Sequence, residues 1–158
     1  MSIRKFEKSD RENILHHIKA TNVFNDEEVE IAKELIDVFL DEPNQKDYDL
    51  YVYADEENIA QGYICIGHTP ATIGTYDLYW IVVNPNEHKK GIGKALLYYI
   101  EEMLKLVGGN LLIAETSSTQ KYDNTRKFYE RTNFIELVRI KEYYRPDDDL
   151  IIFGKYLK

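Results

Sequence analysis

The stretch 88–95 combines residue types and spacings that could bind a phosphate group. It reads His-Lys-Lys-Gly-Ile-Gly-Lys-Ala, and its glycines, Gly91 and Gly93, let the backbone come close to a ligand. It follows an apolar run, Leu78 to Val83, and opens a segment with helical periodicity: Ile92, Leu96, Ile100 and Leu104. This order predicts a strand, a turn and a helix whose first N–H groups face an anion. The lysines and the histidine add positive charge at the same place.

Two phosphate-binding templates do not match this stretch. The dinucleotide fingerprint requires a third glycine where this chain has Leu96, and the nucleotide P-loop requires glycine at position 88 and Ser or Thr at position 95. The pattern His88-x-x-Gly91-x-Gly93 instead resembles the pyrophosphate loop of the GCN5-related N-acetyltransferase (GNAT) superfamily. That loop has Gln or Arg, two residues, Gly, one residue, then Gly or Ala. His88 therefore departs from the pattern, and Lys89 and Lys90 could carry the charge instead.

A second stretch, 128–134, resembles another motif of the same superfamily. It reads Phe-Tyr-Glu-Arg-Thr-Asn-Phe, where the superfamily usually has Phe-Tyr-Glu-x-x-Gly-Phe. Asn133 stands where glycine is common, and asparagine is the next most tolerant residue of the left-handed conformation that ends many helices. With both motifs in the expected order and separation, the resemblance covers nearly the whole chain. The alternative, a solvated surface turn at 88–95, is disfavoured.

Composition places the chain among soluble globular proteins. Its 158 residues predict a single domain, 1–158, and 44% hydrophobic with 30% charged residues is ordinary for such a domain. The net charge of −8 argues against binding to nucleic acid or to an anionic membrane. The single cysteine, Cys65, excludes an internal disulfide, and no Cys/His spacing predicts a metal site. We therefore expect a cytoplasmic protein without a bound metal.

The residue patterns predict an α/β fold. Strands are expected to begin near Ile3, Leu50, Gly62, Tyr76, Leu111, Ile135 and Leu150, and helices near Ser9, Asn25, Ile92 and Tyr122. The strand before the Ile92 helix and the strand after it should be parallel neighbours. The resemblance implies the acyl-CoA N-acyltransferase (GNAT) fold, a mixed central β-sheet of six to seven strands flanked by about four helices on both faces. Asp147 to Asp149 are expected to face water in the last hairpin turn.

The resemblance also implies an activity and a binding site. The activity is transfer of an acetyl group, by direct attack, from acetyl-CoA as cosubstrate to a primary amine of a small molecule or of a protein or peptide. Binding of the pantetheine arm and the diphosphate then maps onto Ile81, Val82, Val83, His88, Lys89, Lys90, Gly91, Ile92, Gly93 and Lys94, with Asn124 as a further cofactor contact. No metal takes part in this chemistry.

Three residues are candidates for catalysis. Tyr129 matches the superfamily tyrosine that commonly donates a proton to the departing sulfur, and a phenol is protonated at neutral pH. Asp77 is the first candidate for the general base, and Glu115 is the second. The competing interpretations are that Tyr129 only packs at a helix end, and that Asp77 is a solvated strand residue while bulk water takes the proton.

Several alternatives stay open from the sequence. A non-catalytic acyl-CoA-binding regulatory or sensor module would use the same loop. The acidic residues between Asp26 and Glu42 could attract a cationic amine or simply face water. Five tyrosines hint at an aromatic-walled acceptor cleft: Tyr51, Tyr53, Tyr63, Tyr76 and Tyr79. A homodimer is possible because exposed strand edges could pair between subunits.

Overall fold

The computed structural model describes all residues from Met1 to Lys158. Its helices are α1 (Arg11–Ala20), α2 (Asp26–Asp41), α3 (Ile92–Leu106) and α4 (Asp123–Arg131). Its strands are β1 (Ser2–Lys5), β2 (Asp49–Ala54), β3 (Ala60–His68), β4 (Thr75–Val83), β5 (Leu111–Ser117), β6 (Ile135–Arg145) and β7 (Asp148–Tyr156). Three short 3-10 turns complete the chain: Lys8–Asp10, Pro85–Glu87 and Gln120–Tyr122. None of the helices is both long and apolar enough to cross a membrane.

The strands form one mixed sheet in the order β1-β2-β3-β4-β5-β7-β6. β4 and β5 run parallel, pairing Thr75–Asp77 with Leu111–Ile113, as expected for two strands joined by a crossover helix. β2 is antiparallel to β1 and β3, and β7 is antiparallel to β5 and β6. The seven strands and four helices confirm the predicted α/β architecture.

The chain forms two compact units. Unit 1 comprises Met1–Gly67 and Tyr79–Met103, and unit 2 comprises His68–Leu78 and Leu104–Lys158. In unit 1, α1 and α2 pack against β2 and β3 through a buried apolar core that includes Leu50 and Val52. Tyr51 lies between those two residues and therefore points to the opposite face. Its hydroxyl donates to Sδ of Met103 in α3 at 3.1 Å, so helices cover both faces of the sheet in this unit.

Local sequence signals set both ends of helix α2. The Asn25 side chain accepts a hydrogen bond from the Glu28 backbone N at 2.8 Å, and the Glu28 carboxylate accepts one from the Asn25 backbone N at 3.1 Å. This reciprocal pair is a capping box at the start of the helix predicted near Asn25, and such a cap stabilises a helix by about 1 kcal/mol. The helix ends at Asp41, before Pro43, because a proline ring disfavours helical geometry at the residue that precedes it.

Unit 2 contains the longest strand of the protein, β6, and its partner β7. Helix α4 ends at Arg131, and Asn133 adopts a left-handed conformation with φ of 72°. The prediction that asparagine serves here in place of glycine is therefore confirmed. The long helix α3 ends at Leu106, before the glycine pair Gly108 and Gly109.

Two local predictions were wrong. The helix expected to begin near Ser9 begins at Arg11, after a 3-10 turn, because the Asp10 carboxylate accepts hydrogen bonds from the Glu7 backbone N and from Arg4. The last hairpin turn is also shorter than expected, since Arg145 already pairs with Asp148. Asp148 is buried and accepts a hydrogen bond from the Ser117 hydroxyl, so this carboxylate does not face water.

Candidate active site

The backbone of the loop before α3 has a shape suited to an anion. Lys89 and Gly91 both have positive φ, 70° and 79°, which turns the chain sharply into the helix. The first helical hydrogen bond runs from the Ala95 backbone N to the Gly91 carbonyl at 2.9 Å. The three N–H groups between them, at residues 92–94, therefore have no acceptor within the helix. They lie at the positive end of the helix dipole, which favours a negatively charged ligand.

Space is available in front of this loop. A Cβ atom built on Gly91 would meet no heavy atom within 4 Å, so the backbone is open to solvent at that point. The charged residues around it, His88, Lys89, Lys90 and Lys94, are all exposed. The Lys90 ammonium lies 2.6 Å from the Glu87 carboxylate, which offsets part of the positive charge. The loop can thus offer both backbone amides and ammonium groups to one ligand, and these features fit a diphosphate.

Gly62 positions the start of this helix, and sequence reasoning missed it. A Cβ atom at Gly62 would lie 3.0 Å from Cγ2 of Ile92 and 3.1 Å from the Val82 carbonyl oxygen. The absence of a side chain in β3 therefore lets the first turn of α3 sit close against the sheet. A glycine inside a strand pattern is the signal that could have identified it, since such a glycine often marks close backbone approach.

The strand segment Ile81–Val83 precedes the loop directly. Val82 is buried against the α1 and α2 side of the core, while Ile81 and Val83 are half-buried. The parallel pairing of β4 with β5 involves Thr75–Asp77, so this later segment is not part of that ladder. Asn84 follows this segment, and its backbone N donates to the Gln61 carbonyl oxygen at 2.8 Å. Its side-chain amide donates to Oε1 of Gln61 at 2.9 Å. These bonds fix the point at which the strand leads into the loop.

Tyr129 lies in a closed aromatic environment in unit 2. Its ring centroid is 5.1 Å from that of Phe134 and 5.5 Å from that of Phe153, and the residue is buried. Burial raises the pKa of the Tyr129 phenol well above its usual value, because the charged phenolate would lose its hydration. The phenol therefore keeps its proton throughout the neutral range, as a proton donor must.

Helix α4 is anchored by a polar network that sequence reasoning did not find. Arg126 donates from one guanidinium nitrogen to the carbonyl oxygens of Ser117 at 2.6 Å and Thr119 at 2.8 Å. The Ser117 hydroxyl bonds to the Asp148 carboxylate and accepts from the Thr119 backbone N at 3.1 Å. These bonds hold the end of β5 against the first turn of α4, the helix that carries Tyr129.

The two candidate carboxylates share one face of the sheet in unit 2. Asp77 pairs in register with Ile113, so their side chains point the same way, and Glu115 follows on that face two residues later. The Thr69 hydroxyl donates to Asp77 Oδ2 at 2.8 Å, which orients the Asp77 carboxylate. Glu115 is exposed, whereas Asp77 is half-buried. Asn124 is exposed on α4. The roles of these residues stay predictions.

The tyrosines of unit 1 that hinted at an acceptor cleft do not form one wall. Tyr63 is fully buried in the core beside Phe6, and Tyr51 points to α3. Tyr76 stacks edge-on with His68 at 5.3 Å, while Tyr79 is exposed next to Tyr48 at 5.6 Å. Val52 pairs with Tyr63, so Tyr63 and Tyr51 point to opposite faces of the sheet, and the sequence hint overstated a common surface.

Comparison with known proteins agrees with this geometry. A family model described as an acetyltransferase (GNAT) domain matches residues 46–136, which is more than half of the chain. A crystal structure from Desulfovibrio desulfuricans, assigned to the GNAT family of acetyltransferases, is 38% identical, with a TM-score of 0.91 and 99% of both chains covered. The chain therefore belongs to the GNAT family of acetyltransferases. No curated protein matches its sequence significantly.

More distant structures share the fold alone. An aminoglycoside 6'-N-acetyltransferase in complex with coenzyme A is 18% identical, covers 100% of this chain and 98% of its own, and gives a TM-score of 0.77. The ribosomal-protein-S18-alanine N-acetyltransferase from Escherichia coli is 18% identical, covers 99% and 94%, and gives a TM-score of 0.76. One of these is named for a small-molecule acceptor and the other for a protein acceptor.

Proposed function

We propose that this protein transfers an acetyl group from acetyl-CoA to a primary amine. The observation that carries the proposal is the loop at 88–94, where two left-handed residues, open space at Gly91 and three unbonded amides meet at the head of α3. Membership of the GNAT family supports the same conclusion. When bound, acetyl-CoA supplies the activated acyl group as a thioester.

The loop residues would hold the diphosphate of the cosubstrate. The backbone N–H groups of Ile92, Gly93 and Lys94 donate to its oxygens, and Lys89 and Lys90 add charge around it. The His88 imidazole can donate a further hydrogen bond. Ile81–Val83 would offer backbone N–H and C=O groups to the amides of the pantetheine arm, as in strand addition. Asn124 is a further candidate contact. Backbone donors suit this task because they are already oriented before the ligand arrives.

Two residues of the chain are proposed to transfer protons in the reaction. Asp77, or Glu115 in its place, removes a proton from the acceptor ammonium, since only the neutral amine has a free electron pair. The amine nitrogen then forms the new C–N bond to the acyl carbon and loses its second proton to water, while the C–S bond breaks. Tyr129 donates its proton to the leaving sulfur and regains one from solvent. The raised pKa of Tyr129 keeps this donor protonated when the reaction starts.

The acceptor is proposed to be a positively charged amine, either a small molecule or an exposed amine of a protein or peptide. Helix α2 exposes several carboxylates with few cations among them: Asp26, Glu27, Glu30, Glu34 and Asp41. The exposed ring of Tyr79 lies beside Tyr48 in the same unit, and aromatic faces attract cations. These features support attraction of a cation to unit 1.

Turnover with a panel of amines tests the proposal. Thiol released from acetyl-CoA would be measured for the natural protein, for Tyr129→Phe and for the control Tyr156→Phe, an exposed tyrosine in the same unit. We expect Tyr129→Phe to lower kcat by roughly 10- to 100-fold and the control to leave it unchanged. Saturable binding of acetyl-CoA without thiol release for any amine would favour the non-catalytic module, which no observation in the structure favours.

A further inference from the structure

Arg126 is a cation whose contacts lie inside unit 2. Its side chain is only 16% exposed, although it stands on a short helix of nine residues. One guanidinium nitrogen donates to the carbonyl oxygens of Ser117 and Thr119, and the other donates to the Asp123 carboxylate. Arginine is mostly exposed in proteins and is buried to this extent when its donors are used. These bonds join α4 to the loop that leads out of β5.

That loop is itself fixed to β7. The Ser118 backbone N donates to the Asp149 carbonyl oxygen at 3.0 Å, and the Asp149 backbone N donates to the Ser118 hydroxyl at 2.8 Å. The Ser117 hydroxyl donates to the buried Asp148 carboxylate. The carbonyl groups that accept from Arg126 therefore belong to a segment that the sheet holds in place. With fixed acceptors, Arg126 can set the position of the helix that carries it.

The other end of α4 has a separate anchor. Lys155 in β7 donates to the Thr132 carbonyl oxygen at 2.8 Å, and its ammonium lies 5.9 Å from the centroid of the Phe134 ring. This contact holds the chain just after the helix ends. A helix that is held at one end can pivot about that end. Arg126 removes this freedom, because it fixes the start of the same helix.

We propose that Arg126 is a positioning residue that places the Tyr129 phenol for proton donation. Tyr129 has this task only under the proposed function, on which the inference rests. Residues three apart in a helix are neighbours on one face, so a displacement of Arg126 moves Tyr129 with it. A proton donor must lie within about 3.2 Å of the atom that it protonates, and a small misplacement lowers the rate strongly.

The packing of Tyr129 explains why a second constraint is needed. Its ring meets those of Phe134 and Phe153 at tilted angles of 52° and 37°. Apolar contacts of this kind are largely non-directional and tolerate small sliding movements. The planar guanidinium of Arg126 instead has donors in a fixed geometry, so its hydrogen bonds define one position of the helix.

A double-mutant cycle measures whether Arg126 acts through Tyr129. Thiol release from acetyl-CoA would be compared for the natural protein, Arg126→Met, Tyr129→Phe and the double variant. Arg126→Met keeps an unbranched stem without donors, so kcat should fall about tenfold while the Kd for coenzyme A changes less than about twofold. In the Tyr129→Phe background, the same change should cost less than about twofold, because the donor is already lost. Arg131→Met is the matched control, since Arg131 is exposed in the last turn of the same helix, and it should leave kcat unchanged.

Two further measurements separate positioning from a general loss of stability. Arg126→Lys keeps a cation that can donate to the loop carbonyls, so it should retain at least about a third of the natural kcat. Hydrogen exchange of the backbone amides of 118–129 should be about tenfold faster in Arg126→Met and unchanged in Arg131→Met. Amides of α1, in unit 1, should exchange equally in all of these proteins. Arg126→Gln takes the place of Arg126→Met if thermal melts show that the latter does not fold.

The outcomes distinguish the role of Arg126 from that of Tyr129. Equal losses of kcat in the two backgrounds, or unchanged exchange at 118–129, would overturn the role of Arg126. A loss of kcat in Tyr129→Phe with unchanged kcat in Arg126→Met would overturn that role alone and leave the proposed function intact. Unchanged kcat in Tyr129→Phe would remove Tyr129 as the proton donor, and the role of Arg126 with it.

Discussion

In the loop at 88–94 the charged side chains are exposed and the backbone conformation shapes the site, whereas around Tyr129 the backbone is regular helix and the side chain is buried. The first region has two positive φ values and open space at Gly91. In the second region, the rings of Phe134 and Phe153 pack against Tyr129. Burial raises the pKa of the Tyr129 phenol.

This difference indicates separate tasks. An exposed backbone can bind a strongly charged ligand without loss of its own packing, because the amides need no burial to be oriented. A buried phenol has a fixed position and stays protonated, because a low dielectric disfavours the charged phenolate. Variants in the loop should therefore change binding, and variants in unit 2 that touch the proposed proton donor or base should change turnover.

Replacement of Gly91 should have the largest effect. Gly91→Leu fills the open space and removes about two charge-assisted hydrogen bonds to a diphosphate, so the Kd for coenzyme A should rise by about 1,000-fold in titration calorimetry. Gly108→Leu is the matched control, since Gly108 also has a positive φ of 82° with no atom within 4 Å of its added Cβ. Both variants should lose about 1–2 kcal/mol of stability from backbone strain. Equal affinity in the two variants would remove the loop from the site.

Replacement of Asp77 tests whether a carboxylate in unit 2 changes turnover without changing cofactor binding. Asp77→Asn keeps an oxygen to accept from Thr69 but cannot take a proton, so kcat should fall by about 100-fold while the Kd for coenzyme A changes little. Glu115→Gln should change kcat by less than about threefold, because in this proposal Asp77, and not Glu115, takes the proton. The reverse order of effects would make Glu115 the base. Full activity in both variants would mean that water takes the proton.

Removal of one loop charge should have a smaller effect. Lys89→Ala keeps a non-glycine residue at the left-handed position and removes an exposed ammonium, so coenzyme A should bind about fivefold more weakly at low ionic strength. The difference should shrink in high salt, because exposed charges are screened. Lys90→Ala should matter less, since Lys90 is already paired with Glu87. An effect of Lys89→Ala that does not depend on salt would contradict an electrostatic role.

The smallest effect concerns stability below neutral pH. Burial lowers the pKa of His17, whose Nε2 donates to the Ala60 carbonyl while its buried Nδ1 has no hydrogen-bond partner. The unfolded chain therefore binds a proton more readily than the folded protein, so the free energy of unfolding should fall as pH drops below about 6.5. Chemical denaturation of His17→Gln should show less of this slope, and the exposed neighbour variant His16→Gln should retain it. An identical slope in all three proteins would show that His17 is not its source.

Much of the fold was predictable because its signals are local. The capping box at Asn25, the stop at Gly108 and the left-handed Asn133 each depend on residues within one helical turn. The loop motif at 88–93 is local as well, so the candidate binding site could be found before any coordinates were known.

The rest depends on contacts between distant parts of the chain. Ser117 and Asp148 are 31 residues apart, and the acidic run at 147–149 gives no sign that its middle residue is buried. The need for a glycine at position 62 becomes apparent only when the start of α3 packs on β3. The tyrosines of the strands were misread for the same reason, since burial of Tyr51 and Tyr63 is set by the helices on each face.

A crystal structure of the protein with coenzyme A tests the central claim most directly. Diphosphate oxygens should lie within about 3.2 Å of the backbone nitrogens of residues 92–94. A diphosphate bound at any other surface, with these amides still facing solvent, would contradict it.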